Sequence, residues 1–168
     1  MEMQTSLQRT FASIILTHLL PRSDILITIH ILAQDGSVLA TCINATTLAL
    51  IDAGVPLLDY VTACTAGSSS SYMANDENAD PLLDMNGTEE NELPTVTIAT
   101  VGGSERIVLC NMENKVQLSR LETMIAVAVA GCGELKSILD AVVRRWGDEV
   151  LKKRSEAVAN LIIKAEDD

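Results

Sequence analysis

The spacing of hydrophobic residues follows two different periods in this chain. One is typical of a helix and the other of a strand, and both occur within the first 34 residues. Between Met1 and Leu20 the apolar residues recur every three or four positions, which predicts an amphipathic helix that Pro21 ends. Between Asp24 and Gln34 every second residue from Ile25 to Ile31 is an isoleucine, and leucines stand at positions 26 and 32. This period of two predicts a strand whose two faces are both at least partly covered.

The stretch from Gln34 to Gly54 predicts a compact unit of turn, strand and buried helix. Asp35-Gly36 is a dipeptide typical of a two-residue hairpin turn, and Ser37–Ile43 is expected to be the returning strand. Asn44 is a favourable helix N-cap, because its side chain can accept a hydrogen bond from a free backbone N–H. Ala45–Ala53 is expected to form a short helix that is apolar on most sides and therefore buried. Gly54 suits the position that follows a helix end.

The second half of the chain predicts a sheet followed by a long helix. Ser119 and Glu122 form a capping box, which favours a helix from Arg120 to about Trp146 that Gly147 breaks or kinks. The small polar residues 68–80 are expected to form a flexible loop, and the residues 155–168 a frayed tail. Strands are predicted at Leu57–Ala66, Pro81–Met85, Thr95–Val101 and Arg106–Asn111, the last two joined by a glycine turn.

This order of elements predicts the α+β class: one domain over residues 1–168, with a mixed or antiparallel sheet and helices packed on it. Nearly half of the residues are apolar but only 2% are aromatic, so the expected core is aliphatic. A net charge of −11 argues against a free-standing nucleic-acid binder, because such a protein needs a basic face, but it allows a subunit whose partners supply that charge. No apolar run is long enough for a membrane span, and no signal peptide is recognised.

The residue patterns alone predict no catalytic, cofactor or metal site. Phosphate-binding glycine loops, the hydrolase serine motif and paired cysteines are all missing from the sequence. The four cysteines are far apart in apolar contexts, so buried free thiols in a reducing compartment are expected. Seven carboxylates occur between Asp76 and Glu92 without a cation, and a solvated acidic loop is the simplest interpretation.

Several segments together resemble the RNase PH family, in particular its fungal-like ring subunits of the eukaryotic RNA exosome. The most specific is Ile43–Gly54, INATTLALIDAG, and the others are Met1–Thr5, Pro21–Asp24, Gln34–Gly36 and Leu83–Asn86. The resemblance covers essentially the whole chain and implies the RNase PH-like fold, also described as ribosomal protein S5 domain 2-like. It also implies an incomplete N-terminus, because family members normally carry several strands, and in many cases an RNA-binding basic pair, before the helix at Met1.

By the same resemblance, active members cleave RNA by phosphorolysis, in which phosphate attacks the 3′-terminal linkage. They carry a phosphate-binding Arg after the Asp-Gly turn, where this chain has Val38, and a catalytic Asp where this chain has Glu90. A valine cannot hold phosphate, and the extra methylene of a glutamate displaces the acid. The resemblance therefore implies a pseudoenzyme without catalytic residues or cofactors.

The resemblance further implies a set of partners. These are the other RNase PH-like subunits, which form heterodimers in a six-membered ring, RNA-binding cap subunits, an associated hydrolytic ribonuclease, and RNA that passes through the channel. The expected location is the nucleus, including the nucleolus, and the cytoplasm. Arg9 and Arg22 are weak candidates for RNA contacts. Two alternatives stay open: an active phosphate-dependent 3′–5′ exoribonuclease, and a stand-alone acidic protein-interaction module.

Overall fold

The protein has an α+β fold, as the sequence predicts. A computed structural model describes residues 2–70, 79–112 and 114–166, with side chains as far as residue 157. In chain order the elements are α1 (Glu2–Ala12), a 3₁₀ turn (Thr17–Leu19), α2 (Val38–Asp52), β1 (Val61–Ser68), β2 (Pro81–Leu83), α3 (Gly87–Glu92), β3 (Thr95–Val101), β4 (Ile107–Met112) and α4 (Leu118–Glu166).

The four strands form one sheet in the order β2-β1-β3-β4, and every neighbouring pair is antiparallel. Every residue of β1 is buried, so the sheet is covered on both faces at its centre. On one face Phe11 of α1 and Ile43 of α2 pack against Val61. On the other face Met124 of α4 packs against Ile98. The sheet of residues 1–136 therefore lies between two helical layers, each with its own aliphatic core.

Helix α2 hydrogen-bonds to the edge of β1 that β3 does not cover. The Asn44 side chain accepts a hydrogen bond from the Ala63 amide at 2.8 Å and donates one to the Ala63 carbonyl at 2.9 Å. One turn later, the Thr47 hydroxyl donates to the Val61 carbonyl at 2.7 Å. Because β2 pairs only with residues 66–68 of β1, these two side chains take the place of a neighbouring strand for the first half of β1.

The predicted strand at Ser37–Ile43 and the N-cap at Asn44 are wrong. Helix α2 already begins at Val38, and Asn44 lies within it. The turn also differs, because the left-handed residues are Gly36 (φ 85°) and Ser37 (φ 51°), and no hairpin follows. The reason for the error is that residues 38–43 are almost continuously apolar, and a helix buried on several sides has no clear period to distinguish it from a buried strand.

The predicted helix over Met1–Leu20 is too long. Helix α1 ends at Ala12, and Ile15 then forms an antiparallel bridge with Leu57. The Leu16 amide donates to the Pro56 carbonyl, and the Leu58 amide donates to the Ile14 carbonyl, both at 3.0 Å. This pairing with a distant segment replaces the helical hydrogen bonds that the local sequence pattern favours.

The predicted strand at Asp24–Gln34 does not occur in the described structure. No residue of this segment belongs to a strand, and residues 21–35 are all exposed. The residue types suit a strand, but a strand also needs a hydrogen-bonded neighbour, and none of the described residues provides one.

The predicted β3–β4 hairpin and the strand at Pro81 are confirmed, whereas the predicted break at Gly147 is wrong. Helix α4 continues to Glu166, since a glycine in a helix costs only about 1 kcal/mol. It also begins at Leu118, so Ser119 lies within the helix instead of capping it.

Residues 1–136 and 137–168 form two separate compact units. The single domain over 1–168 and the frayed tail at 155–168 stay predictions.

The segment between β1 and β2 is closed at its base by two hydrogen bonds. The Ser69 amide donates to the Asp80 carbonyl at 3.0 Å, and the Asp80 amide donates to the Ser69 hydroxyl at 3.0 Å. Residues 71–78 lie outside the described residues, so the flexibility predicted for 68–80 stays a prediction. None of the described helices is long and apolar enough to cross a membrane.

Candidate functional site

Two sequence-distant positions singled out by the resemblance, Val38 and Glu90, line the same small cleft. The cleft has a volume of about 90 Å³ and lies where the first turn of α2 meets α3 and the sheet. Its remaining lining residues are Met3, Leu39, Thr95, Thr97 and Asn111. Thr97 and Asn111 are partners across the β3–β4 pair, so the sheet places their side chains on one face.

The loop before α2 is bound to the loop before α3 by a set of hydrogen bonds. The Asp35 carboxylate accepts a hydrogen bond from the Gly87 amide at 3.1 Å. The two loops come so close at Gly36 that a side chain there would meet the backbone of residues 85–86. Asn86 and Glu89 form the capping box that starts α3. This arrangement fixes where α3 presents Glu90.

The Glu90 carboxylate binds the backbone at the start of α2. Its Oε1 accepts a hydrogen bond from the Ser37 amide at 2.8 Å. Ser37 is buried and is the residue immediately before α2, so this carboxylate lies at the positive end of the helix dipole. Glu90 therefore satisfies a backbone N–H that would otherwise be buried without a partner.

Among the described residues, those that line the cleft carry no cationic side chain. None of them is Arg, Lys or His, and the side chains of Val38 and Leu39 are apolar. The hydroxyl of Thr97 is already hydrogen-bonded to that of Thr65 at 3.0 Å. A carboxylate in a cleft without a cation repels an anionic substrate, which is the opposite of what phosphorolysis requires.

The other sequence-predicted residues lie elsewhere. Arg9 is an exposed residue of α1, and Arg22 is an exposed residue with a left-handed backbone (φ 62°); neither lines the cleft. Their role in RNA binding stays a prediction. Sequence reasoning missed Thr95, Thr97 and Asn111, because only the register of the sheet brings them to the cleft.

Three of the four cysteines are buried, and burial raises the pKa of each of these thiols. Burial, with smaller contributions from Cys132 and Asp84, raises the pKa of Cys64 to about 12. Burial also raises the pKa of Cys132 and of Cys42. Cys110 is the exposed one, and all four are free thiols. The described residues contain no cluster of three or more His, Cys, Asp or Glu side chains that could hold a metal ion.

The sequence is similar to those of several known proteins. Residues 1–56 match the model of the 3′ exoribonuclease family, domain 1. The exosome complex component ski6 of Schizosaccharomyces pombe is 42% identical over 150 residues, which are 89% of this chain and 59% of that protein. The exosome complex component SKI6 of Saccharomyces cerevisiae is 39% identical over 155 residues, 92% of this chain and 60% of that protein. The human exosome complex component RRP41 is 36% identical over 145 residues, 86% of this chain and 56% of that protein.

The fold has a similar solved structure, that of rice (Oryza sativa) Rrp46. It matches with a TM-score of 0.67 and 22% identity, over 85% of this chain and 65% of that chain. The chain spans about three fifths of the length of the two yeast relatives. Sequence and fold agree: the chain has an RNase PH-like fold, its residues 1–56 match domain 1 of the 3′ exoribonuclease family, and it is similar to the Ski6 and Rrp41 exosome components.

Proposed function

We propose that this chain acts as a non-catalytic structural subunit of the RNA exosome ring. It would pair with other RNase PH-like subunits, help to shape the RNA channel, and support 3′–5′ RNA processing and degradation by an associated hydrolytic nuclease. The similarity to exosome components over 86–92% of the chain supports the assignment to the complex. RNA-binding cap subunits and locations in the nucleus, the nucleolus and the cytoplasm belong to the same proposal.

The proposal that the subunit is non-catalytic is supported by the hydrogen bonding of the Glu90 carboxylate. Its carboxylate is engaged by the buried Ser37 amide, and the residue beside that amide is Val38, which offers phosphate no charge. An acid that assists the leaving oxygen of RNA must be free to reach it, and the attacking phosphate needs a cation. The cleft thus supports a structural role for Glu90 as a cap of α2.

The catalytic part is tested with 3′-labelled RNA and the chain assembled with RNase PH-like subunits of the same genome. We expect no release of nucleoside diphosphates in the presence of inorganic phosphate. The partner subunits without this chain provide the background rate. Phosphate-dependent release that Glu90→Gln abolishes and the α3 control Glu92→Gln preserves would refute the proposal in favour of an active phosphorolytic exoribonuclease.

The assembly part is tested separately by co-expression of the tagged chain with those subunits. We expect recovery of a stoichiometric complex whose assembly does not change in Val38→Arg, because this substitution adds a charge to the cleft only. Recovery of the chain without any RNase PH-like partner would refute a ring subunit and would favour a stand-alone acidic interaction module.

A further inference from the structure

The peptide between Asn86 and Gly87 has the residue types that favour deamidation of an asparagine side chain. It is the one asparagine–glycine pair in the sequence. Glycine has no Cβ, so its backbone nitrogen can approach the side-chain amide of the preceding residue without hindrance. Asn86 is exposed and Gly87 is half-buried, so ammonia can leave this place and water can enter it. Position 86 is therefore a candidate for covalent modification.

In the folded chain, hydrogen bonds hold both of the groups that would react. The Gly87 N–H donates to the Asp35 carboxylate at 3.1 Å. The Asn86 Oδ1 accepts hydrogen bonds from the backbone N–H groups of Thr88 and Glu89, both at 3.0 Å. The Asn86 N–H donates to the Glu89 carboxylate, also at 3.0 Å. We call the hydrogen bonds of Asn86 and Glu89 the cap of α3.

This arrangement opposes the reaction. Asn86 has an extended backbone with ψ 169°, and closing a succinimide ring requires rotation of the Gly87 nitrogen towards the Asn86 side chain. That rotation breaks the bond from Gly87 to Asp35 and pulls Asn86 out of the cap. Because α3 has only six residues, its opening is a local event that needs no global unfolding.

We propose that Asn86 is a deamidation site that the cap of α3 protects and that reacts when this cap opens. The Gly87 nitrogen attacks Cγ of Asn86, a new C–N bond forms, and the bond from Cγ to Nδ2 breaks. The departing nitrogen takes up the proton of the Gly87 amide and leaves as ammonia. Water then opens the succinimide ring at one of its two carbonyl groups, which yields an aspartate or an isoaspartate at position 86. Water is the one co-reactant.

The two products differ in their effect on the neighbouring cleft. An aspartate keeps the cap, because its carboxylate accepts the same backbone N–H groups. An isoaspartate carries the main chain through its own Cβ and Cγ, which lengthens the backbone between residues 86 and 87. This displaces α3, whose Glu90 accepts a hydrogen bond from the amide of the buried Ser37 at 2.8 Å. Isoaspartate thus separates α3 from the start of α2, and this inference does not depend on the proposed function.

Incubation of the full chain at neutral pH, followed by peptide mass spectrometry, measures the rate of deamidation at position 86. We expect the folded chain to react at least about tenfold more slowly than the chain in guanidinium chloride, because only molecules with an open cap react. In guanidinium chloride, Gly87→Ala should slow the reaction, since a Cβ hinders the attacking nitrogen. A folded rate equal to the denatured rate would overturn the proposal.

A matched pair of glutamate variants separates the protection by the cap from the reactivity of the dipeptide itself. Glu89→Ala removes the carboxylate that binds the Asn86 N–H, whereas Glu92→Ala changes the exposed last residue of α3. We expect folded Glu89→Ala to deamidate about fivefold faster than folded Glu92→Ala. Both should react at the same rate in guanidinium chloride. Equal rates in the folded variants, or unequal rates in the denatured ones, would contradict protection by the cap.

Hydrogen exchange of the Ser37 amide tests the effect of the modification on the cleft. Chains with isoaspartate at position 86 are separated from chains with aspartate by chromatography, and both are compared with the unmodified chain. We expect exchange about tenfold faster in the isoaspartate chains, because Glu90 no longer binds this amide, and unchanged exchange in the aspartate chains. Equal protection of the amide in the two products would overturn the claim that isoaspartate separates α3 from α2.

Discussion

The hydrogen bonds from α2 to the edge of β1 predict an unequal response to two neighbouring threonine substitutions. Thr47→Val removes the hydroxyl that donates to the Val61 carbonyl, and both residues are fully buried. Thr46→Val changes an equally buried threonine, but its hydroxyl donates to the Cys42 carbonyl four residues earlier in the same helix. That carbonyl keeps its helical N–H partner after the change. Only the first substitution therefore leaves a buried polar group without a hydrogen bond.

The magnitudes follow from this difference. An unsatisfied buried carbonyl costs about 1–3 kcal/mol, so Thr47→Val should lower the free energy of unfolding by about 2 kcal/mol. Thr46→Val should lower it by less than about 0.5 kcal/mol, since valine fills the same volume and the carbonyl stays bonded. Asn44→Ala leaves both the amide and the carbonyl of Ala63 unpaired, and we expect a loss of about 3–4 kcal/mol.

The assay is urea unfolding of the three variants and the unmodified chain, at a protein concentration where all have the same oligomeric state. Hydrogen exchange of the Ala63 amide gives an independent local measure, because this amide donates to Asn44 Oδ1. Its protection should fall in Asn44→Ala by more than the global loss of stability explains. Equal effects of Thr46→Val and Thr47→Val, or unchanged exchange at Ala63, would refute the claim that α2 takes the place of a neighbouring strand.

Four further outcomes are expected. A thiol reagent should modify one of the four cysteines in the folded chain, the exposed Cys110, and all four in denaturant; fast modification of a second thiol would contradict the described burial. Because burial raises the pKa of Cys64 from 9.0 to about 12, the unfolded chain loses this proton first. The protonated Cys64 thiol thus contributes stability that is fully present below pH 9 and declines as the pH rises towards 12. Cys64→Ala should flatten that decline in the free energy of unfolding, measured by urea titrations at alkaline pH. Gly36→Ala should destabilise the fold by at least about 2 kcal/mol in urea unfolding, because Gly36 has φ 85° and its Cβ would meet backbone atoms; a change below about 0.5 kcal/mol would contradict the close approach. Glu90→Ala should cost about 1 kcal/mol more than Glu92→Ala in the same assay, since it frees the Ser37 amide, and equal losses would exclude the capping role.

The sequence predicts the fold correctly where the hydrophobic pattern and the turn residues indicate the same element. The β3–β4 hairpin is one, because alternating strands flank Gly102 and Gly103, which both adopt positive φ values. Helix α2 is the counterexample. Seven of its fifteen residues are buried, so hydrophobicity gives no clear period, and its polar Asn44 resembles a cap. The sequence did offer one signal: Asn44 and Thr47 are polar residues three positions apart in an apolar stretch. This spacing indicates that one face of the helix forms hydrogen bonds with a neighbouring element, which the structure shows to be β1.

The candidate site is only partly predictable for a different reason. Val38 and Glu90 were identified because a family resemblance assigns a role to each position, and the structure places both in one cleft. The bond between Glu90 and Ser37 was not predictable, because it joins residues 53 positions apart. The exposed state of residues 24–34 was also unpredictable, since a single sequence reports what suits a strand and not whether a neighbour is present.

The closed base between β1 and β2 has a practical consequence for labelling this protein. Two hydrogen bonds join Ser69 to Asp80, and three residue pairs join the strands beside them, so the ends of the connecting segment are held together regardless of its length. Doubling the length of a loop whose ends are already held costs only about 0.6 kcal/mol in closure entropy. A short peptide tag inserted between residues 71 and 78 should therefore leave the fold intact, which offers a handle for following the chain.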